Sequence, residues 1–231
     1  MMMYLCNNSR PDIAFAVNQC AWYTHHPTEK HAHYLKHIGK YLKYTRNKGL
    51  ILNPDRNAIL KIDCYADADC AGLWNAEHEQ DPHCVRSRTG FIIMIANCPV
   101  IWRSKLQTEI ALSTMESEYI ALSQSCRELL PLQQLVGEVA KACKASEGDT
   151  TTIMSTIYED NEPCKKLATM ELPRMTNRSK HIAVKYHWFR TRVGVDWNVV
   201  SIASKDQLAD CFTKSLPLTL HEEMRFRIMG W

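Results

Sequence analysis

Residues 60–69 read Leu60-Lys61-Ile62-Asp63-Cys64-Tyr65-Ala66-Asp67-Ala68-Asp69. Leu60, Ile62, Cys64 and Ala66 alternate with Lys61, Asp63, Tyr65 and Asp67. A period of two is that of a β-strand with one face turned inward. This strand is expected to end at Asp67. After a polar, irregular stretch from Leu73 to Ser87, two more strands are expected over Gly90–Ala96 (GFIIMIA) and Pro99–Ser104 (PVIWRS). They are joined tightly through Asn97-Cys98-Pro99.

Beyond the third strand the pattern turns helical. Ser113-Thr114-Met115-Glu116 is a capping box opening a long helix, with Leu122, Cys126 and Leu129 on its buried stripe and Pro131 bending it. Lys144–Thr152 reads as a polar loop, Ile153–Tyr158 as a fourth strand and Asn161–Met170 as a helix. Lys180–Val193 suggests another helix, and Trp197–Ala203 a fifth strand. Ser204-Lys205-Asp206-Gln207 is a second capping box, with Leu208, Cys211 and Phe212 inward, and Pro217 begins a tail with room for one more helix. Three strands with short connections form an antiparallel meander, and strands separated by helices run parallel to the first. The expected fold is α/β, a five-stranded mixed sheet flanked by helices.

Upstream of the turn-rich Asn53-Pro54-Asp55-Arg56-Asn57 the periodicity is helical throughout, so residues 1–55 read as a helical appendage and 56–231 as the α/β unit. Ser9-Arg10-Pro11-Asp12 looks like a helix start, followed by Ile13, Val17, Cys20 and Ala21 at helical spacing. His26-Pro27-Thr28 breaks that helix and caps a second, whose stripe is Leu35, Ile38 and Leu42 and which Gly49 ends. His33 and His37 stand at i, i+4, but no third metal ligand accompanies them.

Of 231 residues, 45% are hydrophobic and 23% charged, which excludes a disordered or collagen-like chain. No apolar run reaches the roughly 20 residues of a membrane span, and the N-terminus lacks a secretory pattern. The ten cysteines are scattered, with no C-x-x-C pair. The expectation is reduced thiols in an intracellular protein of the cytoplasm or nucleus. The net charge of +3 conceals an asymmetry. No acidic residue lies between Glu29 and Asp55, where Lys30, Lys36, Lys40, Lys43, Arg46 and Lys48 give +6; elsewhere 22 basic residues face 25 acidic ones. Lys36, Lys40 and Lys43 fall at i, i+4 and i+7 with tyrosines interleaved. Such a local block suits a polyanion, each lysine neutralising a phosphate.

Four acids fall at strand ends or on helices where a cleft would form: Asp67, Glu118, Asp160 and Asp210. Glu118 is followed by Ala121 and Leu122, which turns it toward the sheet, whereas Glu116 serves the capping box and faces outward. Carboxylates so gathered need counter-ions, and hard divalent cations prefer oxygen ligands. Two metals about 4 Å apart activate water and stabilise a leaving oxygen in phosphodiester cleavage.

These residues carry a resemblance. Arg10-Pro11-Asp12-Ile13 through Ala16-Val17-Asn18, Asp67-Ala68-Asp69-Cys70-Ala71-Gly72, Arg88-Thr89-Gly90-Phe91, Ile101-Trp102-Arg103-Ser104-Lys105 with Gln107, Ala111-Leu112-Ser113-Thr114 through Glu118-Tyr119-Ile120-Ala121, Asp160-Asn161, Ser179-Lys180-His181-Ile182 and Ala209-Asp210-Cys211-Phe212-Thr213-Lys214 occur in that order. The chain thereby resembles the C-terminal part of a copia-type retrotransposon Pol polyprotein. The resemblance implies the tail of a reverse transcriptase followed by a ribonuclease H domain. It implies an enzyme that cuts the RNA strand of an RNA–DNA hybrid with two Mg²⁺ ions, or Mn²⁺ in their place. The ligands carried over are Asp67, Glu118, Asp160 and Asp210. Arg86, Arg88, Lys105 and Gln107 join Lys36, Lys40 and Lys43 as expected hybrid contacts. His181 and His187 are expected either to be satisfied structural histidines, the more common case, or to assist near the site. The partners implied are the hybrid and the rest of a Pol polyprotein, with virus-like particles as a location and no membrane. Cys70 stands where the family has tryptophan, Ser117 where it has alanine, and Asn177-Arg178-Ser179-Lys180 is a variant approach. The Tyr-x-Asp-Asp signature of a polymerase site is absent. Competing expectations are an inactive, nucleic-acid-binding remnant and an integrase or transposase, the latter expected to carry a final glutamate rather than Asp210.

Overall fold

The computed structural model describes residues 1–54, 60–73, 84–143, 153–171, 174, 182 and 184–231. The 144–152 loop, the Asn177–His181 motif and most of the 73–87 stretch lie outside the described residues. Five strands, β1 (Ile62–Asp69), β2 (Arg88–Ile95), β3 (Cys98–Leu106), β4 (Ser155–Glu159) and β5 (Trp197–Ser201), form one mixed sheet in the order β3-β2-β1-β4-β5. β1, β2 and β3 are antiparallel, and β4 and β5 run parallel to β1. β1 runs two residues past its expected end, because β2 pairs with it out to Asp69↔Arg88. Asp67 therefore sits inside the strand, opposite Gly90. Ala96 and Asn97, both at positive φ, make the tight β2–β3 turn.

Both faces of the sheet are covered, which explains why β2 reads as an unbroken apolar run. Phe91 and Ile93 join Ile62, Cys64 and Ala66 against α4 (Thr114–Ala142) and α5 (Glu162–Thr169). Ile92, Met94 and Trp102 face the other way, toward Ile13, Val17, Ile38, Ile228 and Met229. That second layer is built by α1 (Met2–Asn8), a 3₁₀ turn (Pro11–Ile13), α2 (Ala14–Trp22), α3 (Glu29–Tyr44) and α7 (Leu218–Met229). The N-terminal helices thus share a core with the sheet. Trp102 Nε1 donates to Cys6 O across this layer at 2.6 Å.

Several expected boundaries move for physical reasons. α1 was not expected, and Ser9 caps no helix through its side chain. Arg10 is buried instead, binding Asp12 at 2.6 Å and Thr45, while Tyr41 donates to Asp12 at 2.7 Å. Thr45 turns back onto Tyr41 O, so α3 stops at Tyr44, ahead of Gly49. On α3 Ile38 is buried, whereas Leu35 is exposed. α4 continues through Pro131. In place of a helix over 180–193, the described residues form 3₁₀ turns at Val184–Tyr186 and Trp188–Arg192. Tyr186 and Phe189 are buried three residues apart, the 3₁₀ period. In place of one helix after Ser204 there is a 3₁₀ turn (Ser204–Asp206) and then α6 (Asp210–Thr213). Gln207 interrupts them in extended backbone because its side chain enters the sheet, Nε2 donating to Ala66 O at 2.9 Å and to Tyr158 O at 3.4 Å.

Candidate active site

Parallel pairing of β1 with β4 sets the site. Tyr65 pairs with Tyr158, and their rings stack at 4.6 Å. Two residues further on each strand, side chains return to the same face. Asp67, inside β1, and Asp160, just past the end of β4, therefore meet on one rim of the sheet. α4 starts over the same rim and delivers Glu118, whose Oε2 accepts from Ala68 N at 2.7 Å. Asp67, Glu118 and Asp160 each bring one carboxylate oxygen within 4.8 Å of the others. Glu116 is not in this group. Its amide donates to Ser113 Oγ and its Oε2 accepts from Leu112 N at 2.8 Å. It is buried at the helix start, where an outward-facing side chain was expected.

The fourth acid, Asp210, arrives on α6 beside Asp67. Gln207 fixes the approach. Gly90 permits it, since a Cβ there would lie 2.6 Å from Thr213 Cγ2 and 2.8 Å from Phe212 Cβ. Thr213 Oγ1 donates to Asp67 Oδ2. Lys214 Nζ lies 2.8 Å from Asp210 Oδ1. A cation four residues on thus neutralises Asp210, while the other three acids face one another.

The electrostatics follow from this crowding. Burial, then the charges of Asp210 and Asp160, push the Asp67 carboxyl up to about 7, against the pull of Lys214 and Thr213. Burial also raises Glu118 far above the ordinary carboxylate range, with Asp67, Glu159 and Asp160 adding to it. Asp210 is raised chiefly by burial. Carboxylates that resist ionising alone are suited to a divalent cation, which supplies the missing charge and takes oxygen donors. The donor set of Asp67, Glu118 and Asp160, with Asp210 alongside, fits such an ion.

The expected nucleic-acid contacts are dispersed. Lys36, Lys40 and Lys43 are all exposed, on the side of α3 opposite buried Ile38 by helical phase. Lys105 is exposed on β3, beside Arg103, Arg127 and Lys185. Gln107 is buried, donating to Thr89 Oγ1 at 3.1 Å and Ser117 O at 2.9 Å. In this structure it braces α4 against β2 and offers no free surface, a correction to its expected role. Arg86 and Arg88 line a cavity beside Thr213 and Lys214. His187 Nδ1 is 2.8 Å from the hydroxyl of buried Tyr119, a half-buried pairing. All ten cysteines are free thiols.

No family model matches the chain. It is 33% identical over 221 residues to the retrovirus-related Pol polyprotein from transposon RE1 of Arabidopsis thaliana, covering 95% of this chain and 14% of that polyprotein. The corresponding figures for transposon TNT 1-94 of Nicotiana tabacum are 31% identity, 94% and 15%. The chain is a homologue of copia-type, retrovirus-related Pol polyproteins. It spans about a seventh of their length. Among solved structures, the N-terminal RNase H domain of a Mycobacterium tuberculosis protein, studied as a fusion with maltose binding protein, covers 72% of this chain and 96% of its own. It does so at 10% identity and a TM-score of 0.44.

Three further residues, given no role by the sequence alone, belong to this Pol homologue's site. Thr213 and Lys214 stand three and four residues after Asp210, so helical spacing was the available signal. Glu159 is the third. It shares the inward face of β4 with Ile157 and is 1% exposed, with Oε1 accepting from Asn161 N at 3.1 Å. Burial pushes it up to about 8. Alternation along β4 marks it as an inward-facing acid.

Proposed function

We propose that this chain is a metal-dependent nuclease of the ribonuclease H type that cuts the RNA strand of RNA–DNA hybrids within a retroelement Pol protein. The observation that carries the reading is the convergence of Asp67, Glu118 and Asp160 oxygens within 4.8 Å at one sheet rim. Mg²⁺, or Mn²⁺, would be held by Asp67, Glu118 and Asp160 with Asp210 adjacent, and would supply activated water and stabilisation of the leaving oxygen. The chain's own residues preset that site. The Ala68 amide orients Glu118, Thr213 orients Asp67, and Lys214 keeps Asp210 compensated. Gln207 locks the α6 approach to both parallel strands.

In this reading residues 1–55 are the tail of a reverse transcriptase, 56–231 are the nuclease unit, and the protein works inside the cell on reverse-transcription intermediates. Lys36, Lys40, Lys43 and Lys105 supply phosphate contacts. Among the described residues no helix is long and apolar enough to cross a membrane. The test is a panel of end-labelled substrates in Mg²⁺: RNA–DNA hybrid, duplex RNA, duplex DNA and single strands. Cleavage confined to the RNA of the hybrid is expected. Cleavage of none, with the hybrid still bound, would leave a binding module only.

A further inference from the structure

Between α2, α3 and the edge of the sheet lies a cavity of about 620 Å³. Phe15, Gln19 and His37 line it from the N-terminal helices, and Arg86, Arg88 and Lys214 from the sheet side. Arg88 is 4% exposed. Its Nη1 donates to Ser104 Oγ at 3.2 Å and its Nη2 to Gln19 Oε1, and its guanidinium lies 5.3 Å from the Phe15 ring centroid. All three partners are neutral. Asp69, opposite Arg88 in the β1–β2 register, also lines the cavity and favours the charged guanidinium through space, without forming an ion pair. Burial accordingly lowers the guanidinium to about 10. Beside it, Arg86 Nε is buried without a hydrogen-bond partner. A buried cation without an ion pair of its own keeps N–H donors that an anion entering the cavity can complete. The guanidinium fork matches phosphate oxygens, and the cavity is of ligand size.

The cavity adjoins the carboxylate rim. Thr213 binds Asp67 and Lys214 binds Asp210, and both also line the cavity. We propose that this cavity seats a backbone phosphate of the bound nucleic acid, near the phosphate at the carboxylate rim, with Arg88 and Arg86 as donors and α2 and α3 as one wall. The choice of nucleic acid as ligand rests on the nuclease reading. The site itself rests on Arg88, buried without an ion pair, and on the unpartnered Arg86 Nε. The N-terminal helices are then part of the substrate site, since Gln19 and Phe15 hold Arg88 in place.

The experiment measures binding in EDTA, so that no cleavage intervenes. Hybrids carrying a single methylphosphonate, which removes one phosphate charge, are walked in turn along each strand against the full chain. At one position the wild type should lose about tenfold in affinity, one charge-assisted contact. Arg88→Met should be about tenfold weaker on unmodified hybrid and indifferent to that position. Gln19→Glu is the second variant, useful if Arg88→Met does not fold. It gives Arg88 a carboxylate, and should raise Tm while weakening hybrid binding about tenfold. The proposal is overturned if no position on either strand depends on Arg88, or if Gln19→Glu raises Tm with hybrid affinity unchanged. Coupling without any cleavage in Mg²⁺ would refute the nuclease reading alone. Cleavage without coupling would refute the phosphate site alone.

Discussion

Asp67→Asn should stabilise the metal-free protein, and the gain should depend on pH. Asp67 is 3% exposed, and its carboxyl is raised from 3.8 to about 7, chiefly by burial and then by Asp210. Each pKa unit corresponds to about 1.36 kcal/mol, so the shift amounts to about 4 kcal/mol. A carboxyl held high favours the protonated folded state. Its contribution is therefore complete below the unfolded value of 3.8 and lost as pH rises through about 7. Asparagine keeps an acceptor for Thr213 Oγ1 but has no proton to surrender. In urea unfolding with EDTA, the variant should exceed wild type by up to about 4 kcal/mol at pH 8.5, and the gap should close toward pH 4. Saturating Mg²⁺ should restore the wild type and leave the variant unchanged. A gap equal at both pH values would refute the electrostatic account of the rim.

Three further outcomes are expected. Gly90→Ala places a methyl 2.6 Å from Thr213 and 2.8 Å from Phe212; it should cost about 1–3 kcal/mol in thermal or urea unfolding and slow cleavage by moving Asp210. Asp12→Ala leaves buried Arg10 without its ion pair and should cost about 3–5 kcal/mol, read as a fall in the urea midpoint. Replacing Lys36, Lys40 and Lys43 by alanine should flatten the log–log salt dependence of hybrid binding by up to about 0.9 per lysine. The same triple variant should still cleave at saturating enzyme, and an unchanged slope would show that α3 presents only a solvated ridge.

The sheet was legible because its strands obey simple periodicities. Alternation at residues 60–67 and the apolar run at 90–96 place β1 and β2, and the spacing of helices dictates which strands run parallel. Legibility failed where side chains reach across the chain. Nothing local shows that Gln207 binds Ala66 O and Tyr158 O, so the break between residues 204 and 210 was invisible. Arg10 looked like part of a helix start because its partners, Thr45 and Tyr41, are more than thirty residues away or act through Asp12. Of the four acids that placement and helical phase single out, Asp67, Glu118 and Asp160 form the closest group, with Asp210 beside Asp67. Glu159 was masked by its neighbour Asp160. Gln107 is a buried brace because its amide reaches Thr89 on β2 and Ser117 on α4, a packing that no local pattern in the sequence shows.

The central claim is that the carboxylate rim performs cleavage and does not merely bind. It is tested most directly by single-turnover cleavage of a hybrid labelled on its RNA strand, comparing wild type with Asp160→Asn at saturating enzyme. The expected result is Mg²⁺-dependent cutting by wild type, abolished by EDTA. Asp160→Asn should not cut, yet should bind the hybrid at least as tightly, because a negative charge facing phosphate is gone. Cleavage by Asp160→Asn at the wild-type rate, or an uncut RNA strand under wild type in Mg²⁺, would contradict the account.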